Sequence, residues 1–106
     1  MISAEAIRQL SDDIAHCFQP EKIILFGSYA YGTPNAASDV DFLVIMSFEG
    51  KEVYKAVEIL TQVNPRFAVD LLVRTQETVT QRLEWNDFFL QEVIGKGKVL
   101  YAARNH

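Results

Sequence analysis

Apolar and polar positions follow two rhythms along the chain. Ile7, Leu10, Ile14 and Cys17 with Phe18 recur at helical spacing on one face. Ser3 stands where an N-cap hydroxyl belongs and Pro20 lies just past the far end, so a helix is predicted to run to about residue 18. Residues 22–26 (Lys-Ile-Ile-Leu-Phe) are apolar on both faces, the pattern of a central strand, and Gly27 stops it. A short helix or turn is predicted over 28–31, and Gly32-Thr33-Pro34-Asn35 is loop chemistry.

A second buried strand is predicted over 40–46 and a third over 67–73. Between them, 51–63 reads as a helix with Val53, Ala56, Val57, Leu60 and Val63 as its apolar stripe, broken by Asn64-Pro65. Thr75 is placed to cap further helix, and Trp85, Phe88, Phe89 and Val93 form an apolar helical face ending at Gly95. Trp85, Phe88, Phe89 and Leu90 together read first as core and second as an extension toward a partner surface. A last short strand is expected over 97–101. The fold class that follows is α+β: a small mixed sheet of three or four strands flanked by helices, in one domain over 1–106.

Composition narrows the function. The chain of 106 residues is 49% hydrophobic and carries a net charge of −4, so a broad basic face for nucleic acid is not expected. The basic start and apolar run of a signal peptide are missing from the N-terminus, and no stretch approaches the ~20 apolar residues of a membrane span. Cys17 is the one cysteine, which excludes an internal disulfide and fits a reducing, cytoplasmic setting; on its predicted helix it reads as a small buried hydrophobe.

Three acids interrupt the apolar runs. Asp39 and Asp41 open the second strand two residues apart, so both side chains share a face. Two like charges at ~4 Å and an effective dielectric of ~20 repel by about 4 kcal/mol, which a divalent cation offsets directly. The plainer alternative is that Asp39 closes the turn over 35–38 while Asp41 faces water. Asp70 sits inside the third apolar run, where an acid needs a partner. If the two strands are neighbours, three carboxylates converge on one sheet face; otherwise Arg8, Arg66 or Arg82 is the natural counter-ion.

Gly27-Ser28 ends the first strand with a residue that permits a tight turn and a hydroxyl that suits a phosphate, although the same pair is common at strand-to-helix turns for steric reasons alone. Other templates fail. The chain has no Gly-x-x-x-x-Gly-Lys-Ser/Thr loop, the stretch from Asp39 has Val44 where an EF-hand needs glycine, and His16 and His106 are isolated.

The combination is more specific than its parts. Gly27-Ser28, ten residues, Asp39-x-Asp41 and then Asp70 resembles the nucleotidyltransferase superfamily of the DNA polymerase β type, over 22–73. At this length, and with the ending Gly95-Lys96-Gly97-Lys98-Val99-Leu100-Tyr101, it is similar to the minimal nucleotidyltransferases (MNT) often encoded beside a HEPN-domain protein. The resemblance implies ATP bound at Gly27 and Ser28, one or two Mg²⁺ ions held by Asp39, Asp41 and Asp70, and transfer of a nucleoside monophosphate to an acceptor hydroxyl. It further implies a HEPN-type toxin as partner and acceptor, with this chain as the antitoxin, in a homo- or hetero-oligomer. Two alternatives remain at this point: a binding module that neutralises its partner by occlusion, and a transferase acting on a small molecule or RNA. Tyr29 and Tyr31 stand where many minimal members carry arginine, so Lys51, Lys55, Arg74 or a partner chain is left to supply a cation.

Overall fold

The computed structural model describes residues 1–104; His106 lies outside the described residues. Helix α1 (Ala4–Phe18) starts at Ser3, whose hydroxyl accepts the Ala6 N–H at 3.1 Å. It is followed by β1 (Lys22–Phe26), the single turn α2 (Ser28–Tyr31), β2 (Val40–Ile45), α3 (Glu52–Val63), β3 (Val69–Arg74), α4 (Gln76–Glu84), α5 (Phe88–Lys96) and β4 (Lys98–Ala102). The four strands form one mixed sheet in the order β3-β2-β1-β4. β1 is antiparallel to both neighbours, whereas β2 and β3 run parallel because α3 carries the chain back between them.

Alternation along the strands divides the apolar residues between two layers. Val40, Phe42 and Val44 face α1 and α3, packing with Ile7, Ile14 and Ile59. Leu43 and Ile45, with Ile24 and Phe26 of β1, face α4 and α5 and meet Val79, Leu90 and Val93. Both inner strands are therefore buried on both faces, as their unbroken apolar runs predict.

Four expectations need correction. Cys17 is exposed: Phe18, not Cys17, continues the Ile7–Ile14 face in the last turn of α1 and packs on the core. On α3, the packed stripe is Ala56, Ile59, Leu60 and Val63, while Val53 and Val57 are 61% and 58% exposed on the far flank. The third strand starts at Val69, two residues later than its pattern suggests, because 66–67 form a bend; Asp70 is thus near the strand's start. Finally, Asn86 takes a left-handed conformation (φ 59°) and Asp87 caps a new helix by accepting the Leu90 N–H at 3.0 Å. That break re-phases the aromatic cluster: Leu90 is buried, but Trp85 and Phe88 are 67% and 79% exposed.

Candidate active site

The sheet register brings the candidate residues into one row. Phe26 of β1 lies opposite Asp41 of β2, and Asp41 lies beside Asp70 of β3. Asp41 shares its face with Leu43 and Ile45, and Asp70 shares that face with Leu72, so both carboxylates project on the side that carries α4 and α5. Asp41 is half-buried, while Asp70 and Asp39 are exposed. Asp39 is close enough to act on Asp41, whose carboxyl is pushed up to about 6, first by burial, then by the charges of Asp70 and Asp39.

Gly27 closes over the row from β1. Its backbone sits at φ 72°, ψ −154°, a region open essentially to glycine alone. A Cβ added there would collide with Oδ2 of Asp41, so the strand-to-helix turn lies directly against that carboxylate. The Gly27 carbonyl accepts the N–H groups of Ala30 and Tyr31, both at 3.0 Å, which winds α2 and leaves Ser28 at its start, partly exposed. Phe26 forms the floor beside Asp41, with Phe89 of α5 packed edge-on to it at 5.5 Å. Phe26 lies in the apolar run over 22–26 and Phe89 in the aromatic cluster read first as core, so neither was marked out by the sequence as part of the site.

Among the described residues neither turn closure by Asp39 nor an arginine counter-ion for Asp70 is found. The turn over 35–38 is closed by Asn35 and Ser38, through Ser38 N–H to the Asn35 carbonyl and Asn35 N–H to the Ser38 hydroxyl, both at 3.0 Å; Asp39 takes no part. Among the described residues the ion pairs are Lys55–Glu58, Arg74–Glu52 and Arg82–Asp87, so none of the three acids has a counter-ion. Two negative neighbours and no positive one make a site that a cation would stabilise.

Residues 7–100 match the family model of the nucleotidyltransferase domain. The chain belongs to this family. Over 83 residues it is 31% identical to a candidate protein adenylyltransferase of Methanocaldococcus jannaschii, covering 76% of this chain and 78% of that relative. Its fold is shared by a candidate nucleotidyltransferase of Sulfolobus solfataricus, with a TM-score of 0.58 and 22% identity over 73% of this chain and 70% of the other. A chain of a toxin-antitoxin crystallised with AMP-PNP is equally similar, at a TM-score of 0.58 and 22% identity over 97% and 76%.

In this nucleotidyltransferase domain the acids suit Mg²⁺ in kind, being hard oxygen donors. Among the described residues no three His, Cys, Asp or Glu side chains are already gathered into a cation cage. Of the cations offered in place of the missing arginines, two are ion-paired among the described residues and one is not. Lys55 pairs with Glu58 at 3.4 Å, Arg74 with Glu52 at 3.2 Å, and Lys51 lies over the Tyr54 ring at 5.8 Å. Tyr29 holds the N-terminal segment, its hydroxyl accepting the Ile2 N–H at 3.1 Å. A cavity of about 690 Å³ between α3 and α4 is lined by Phe48, Arg82 and Trp85 among others and does not reach Asp39, Asp41 or Asp70; a smaller one of about 350 Å³ reaches Asp70.

Proposed function

We propose that this domain transfers AMP from ATP to a hydroxyl of a partner protein in a Mg²⁺-dependent reaction, as the antitoxin of a pair whose toxin is a HEPN-domain protein. The observation that carries the reading is the packing of Gly27 against Asp41, with Asp70 beside it in register. Three separate strands contribute to this one constellation. The adenylyltransferase relative and the toxin-antitoxin fold neighbour support the substrate class and the setting.

Gly27 and Ser28 would seat the triphosphate, since glycine lets the backbone turn tightly there and Ser28 offers a hydroxyl at the start of α2. Asp39, Asp41 and Asp70 would hold one or two Mg²⁺ ions, which when bound neutralise charge on the phosphates and on the attacking and leaving oxygens. The acceptor oxygen bonds to the α-phosphorus, the bond to pyrophosphate breaks in line, and the hydroxyl proton passes to a carboxylate. Asp70, exposed at the end of the row, is the one open to an acceptor. The relative named for adenylylating protein favours a macromolecular acceptor over a drug; the domain's reducing, cytoplasmic setting follows from the same reading.

The test mixes the purified protein with labelled ATP, Mg²⁺ and the product of the neighbouring gene. Label should move to that protein with the wild-type chain and not with Asp39→Ala. Absence of transfer, with the variant behaving like wild type throughout, sinks the enzyme. Occlusion without catalysis is the second reading, favoured by the ion-paired cations and by the exposed Trp85 and Phe88. It requires that the Asp39→Ala/Asp41→Ala double variant still suppress the partner's toxicity.

A further inference from the structure

β3 is an edge strand, and its free edge opens onto the acid row. The Val40 N–H donates to the Ala68 carbonyl and the Met46 N–H to the Arg74 carbonyl. In a parallel pair, alternate residues point both main-chain groups to the neighbour. The even-numbered residues of β3 therefore face β2, and Val69, Leu71 and Val73 turn their N–H and C=O groups outward. Arg74 blunts one end of this edge: it folds back to donate to the Val73 carbonyl at 2.8 Å and is fixed by Glu52 at 3.2 Å. Nothing among the described residues takes the outward groups of Val69 and Leu71, and these flank Asp70. The cavity along the edge, about 350 Å³, runs from Asp70 to Arg74 with Val53 and Ala56 of α3 as its wall.

We propose that the acceptor segment of the partner protein binds as an added β-strand on the Val69–Leu71 edge, placing its hydroxyl beside Asp70. The inference rests on the transferase reading and specifies how its substrate docks. Unpaired edge groups call for an extended main chain, and the neighbouring strand of a sheet lies ~4.8 Å away. The row Phe26, Asp41, Asp70 thus gains a fourth place, filled by a serine, threonine or tyrosine of the segment. The residues on either side of that hydroxyl point to the other face, against Val53 and Ala56, and are apolar. Arg74 limits the segment at the far end, so the free stretch is confined to the side nearest the acids.

The test uses the whole chain with ATP, Mg²⁺ and a short synthetic peptide of alternating valine and threonine, solubilised by terminal lysines. A control peptide is N-methylated at its valines, which removes main-chain donors and keeps every hydroxyl. The first peptide is expected to gain AMP by mass, and amide exchange at Val69 and Leu71 to slow about tenfold when it binds. The methylated peptide and a Val69→Pro chain, altered at the first strand position where proline is tolerated, should each show labelling reduced about tenfold. Equal labelling of both peptides, or labelling without protection of the edge amides, overturns the proposal. Protection that grows with protein concentration in the absence of peptide, together with sedimentation as a dimer, assigns the edge to a second copy and also overturns it. Lack of labelling while equilibrium dialysis still shows ATP–Mg²⁺ binding rejects the edge alone. Loss of ATP binding altogether instead refutes the transferase reading on which the edge depends.

Discussion

Replacing Asp41 by asparagine keeps the shape of the side chain and removes a charge that the folded protein holds at a cost. The carboxyl is pushed from an ordinary 3.8 up to about 6, by burial first and by Asp70 and Asp39 after it. That difference of about two pH units is worth ~3 kcal/mol at ~1.4 kcal/mol each, before screening. Asp41 is only half-buried, so water weakens the effect and ~1–2 kcal/mol is the expected penalty of the ionised form. The folded pKa lies above the unfolded one, so this group destabilises the fold least below pH ~4 and most above pH ~6. Wild-type stability should therefore fall relative to Asp41→Asn as pH rises through that window. Urea unfolding in EDTA at several pH values reads the difference, and other titrating groups cancel between the two proteins. At pH 7 the variant should be more stable by ~1–2 kcal/mol, or about 5–10 °C in Tm, and AMP transfer should drop by about a hundredfold or more. Added Mg²⁺ should stabilise the wild type and close most of the gap. A variant less stable than wild type at pH 7, or a gap that does not change with pH, would refute the reasoning.

Gly27→Ala should cost ~1–3 kcal/mol in chemical denaturation and abolish AMP transfer, because it needs a positive φ and its methyl group strikes Asp41. Ser11 is fully buried with a hydroxyl that finds no partner among the described residues, so Ser11→Ala should raise stability by ~1 kcal/mol in the same assay without changing transfer. Gly97→Ala should destabilise by ~1–3 kcal/mol, since its Cβ would press on the Val93 carbonyl and on Ile24 where α5 meets β1. Phe88→Ser changes a residue that is 79% exposed, and its melting temperature should stay within about 2 °C of wild type.

Much of the candidate site was legible because its parts are local in sequence. Gly27-Ser28 at the end of an apolar run and two acids at the start of the next are features of single strands, and strand alternation fixes that Asp39 and Asp41 share a face. Ser3 and Thr75 were readable as caps for the same reason, and both side chains accept the expected N–H groups. The fate of the cations was not legible: Arg74 and Glu52 lie on different elements, and only folding brings them together at 3.2 Å. The rotation of α3 also escaped, since Val53 and Val57 are as apolar as the residues that pack. The break at Asn86 carries no glycine or proline to announce it.

By itself, the sequence determined the elements and the kind of chemistry. Hydrophobic period sorts strands from helices, and acids placed at the ends of apolar runs mark where those strands meet water. Tertiary structure decided which strands are neighbours, because that depends on packing between distant segments and on the parallel return made through α3. It set Asp70 beside Asp41, pressed Gly27 onto that carboxylate, and left the Val69–Leu71 edge open next to both.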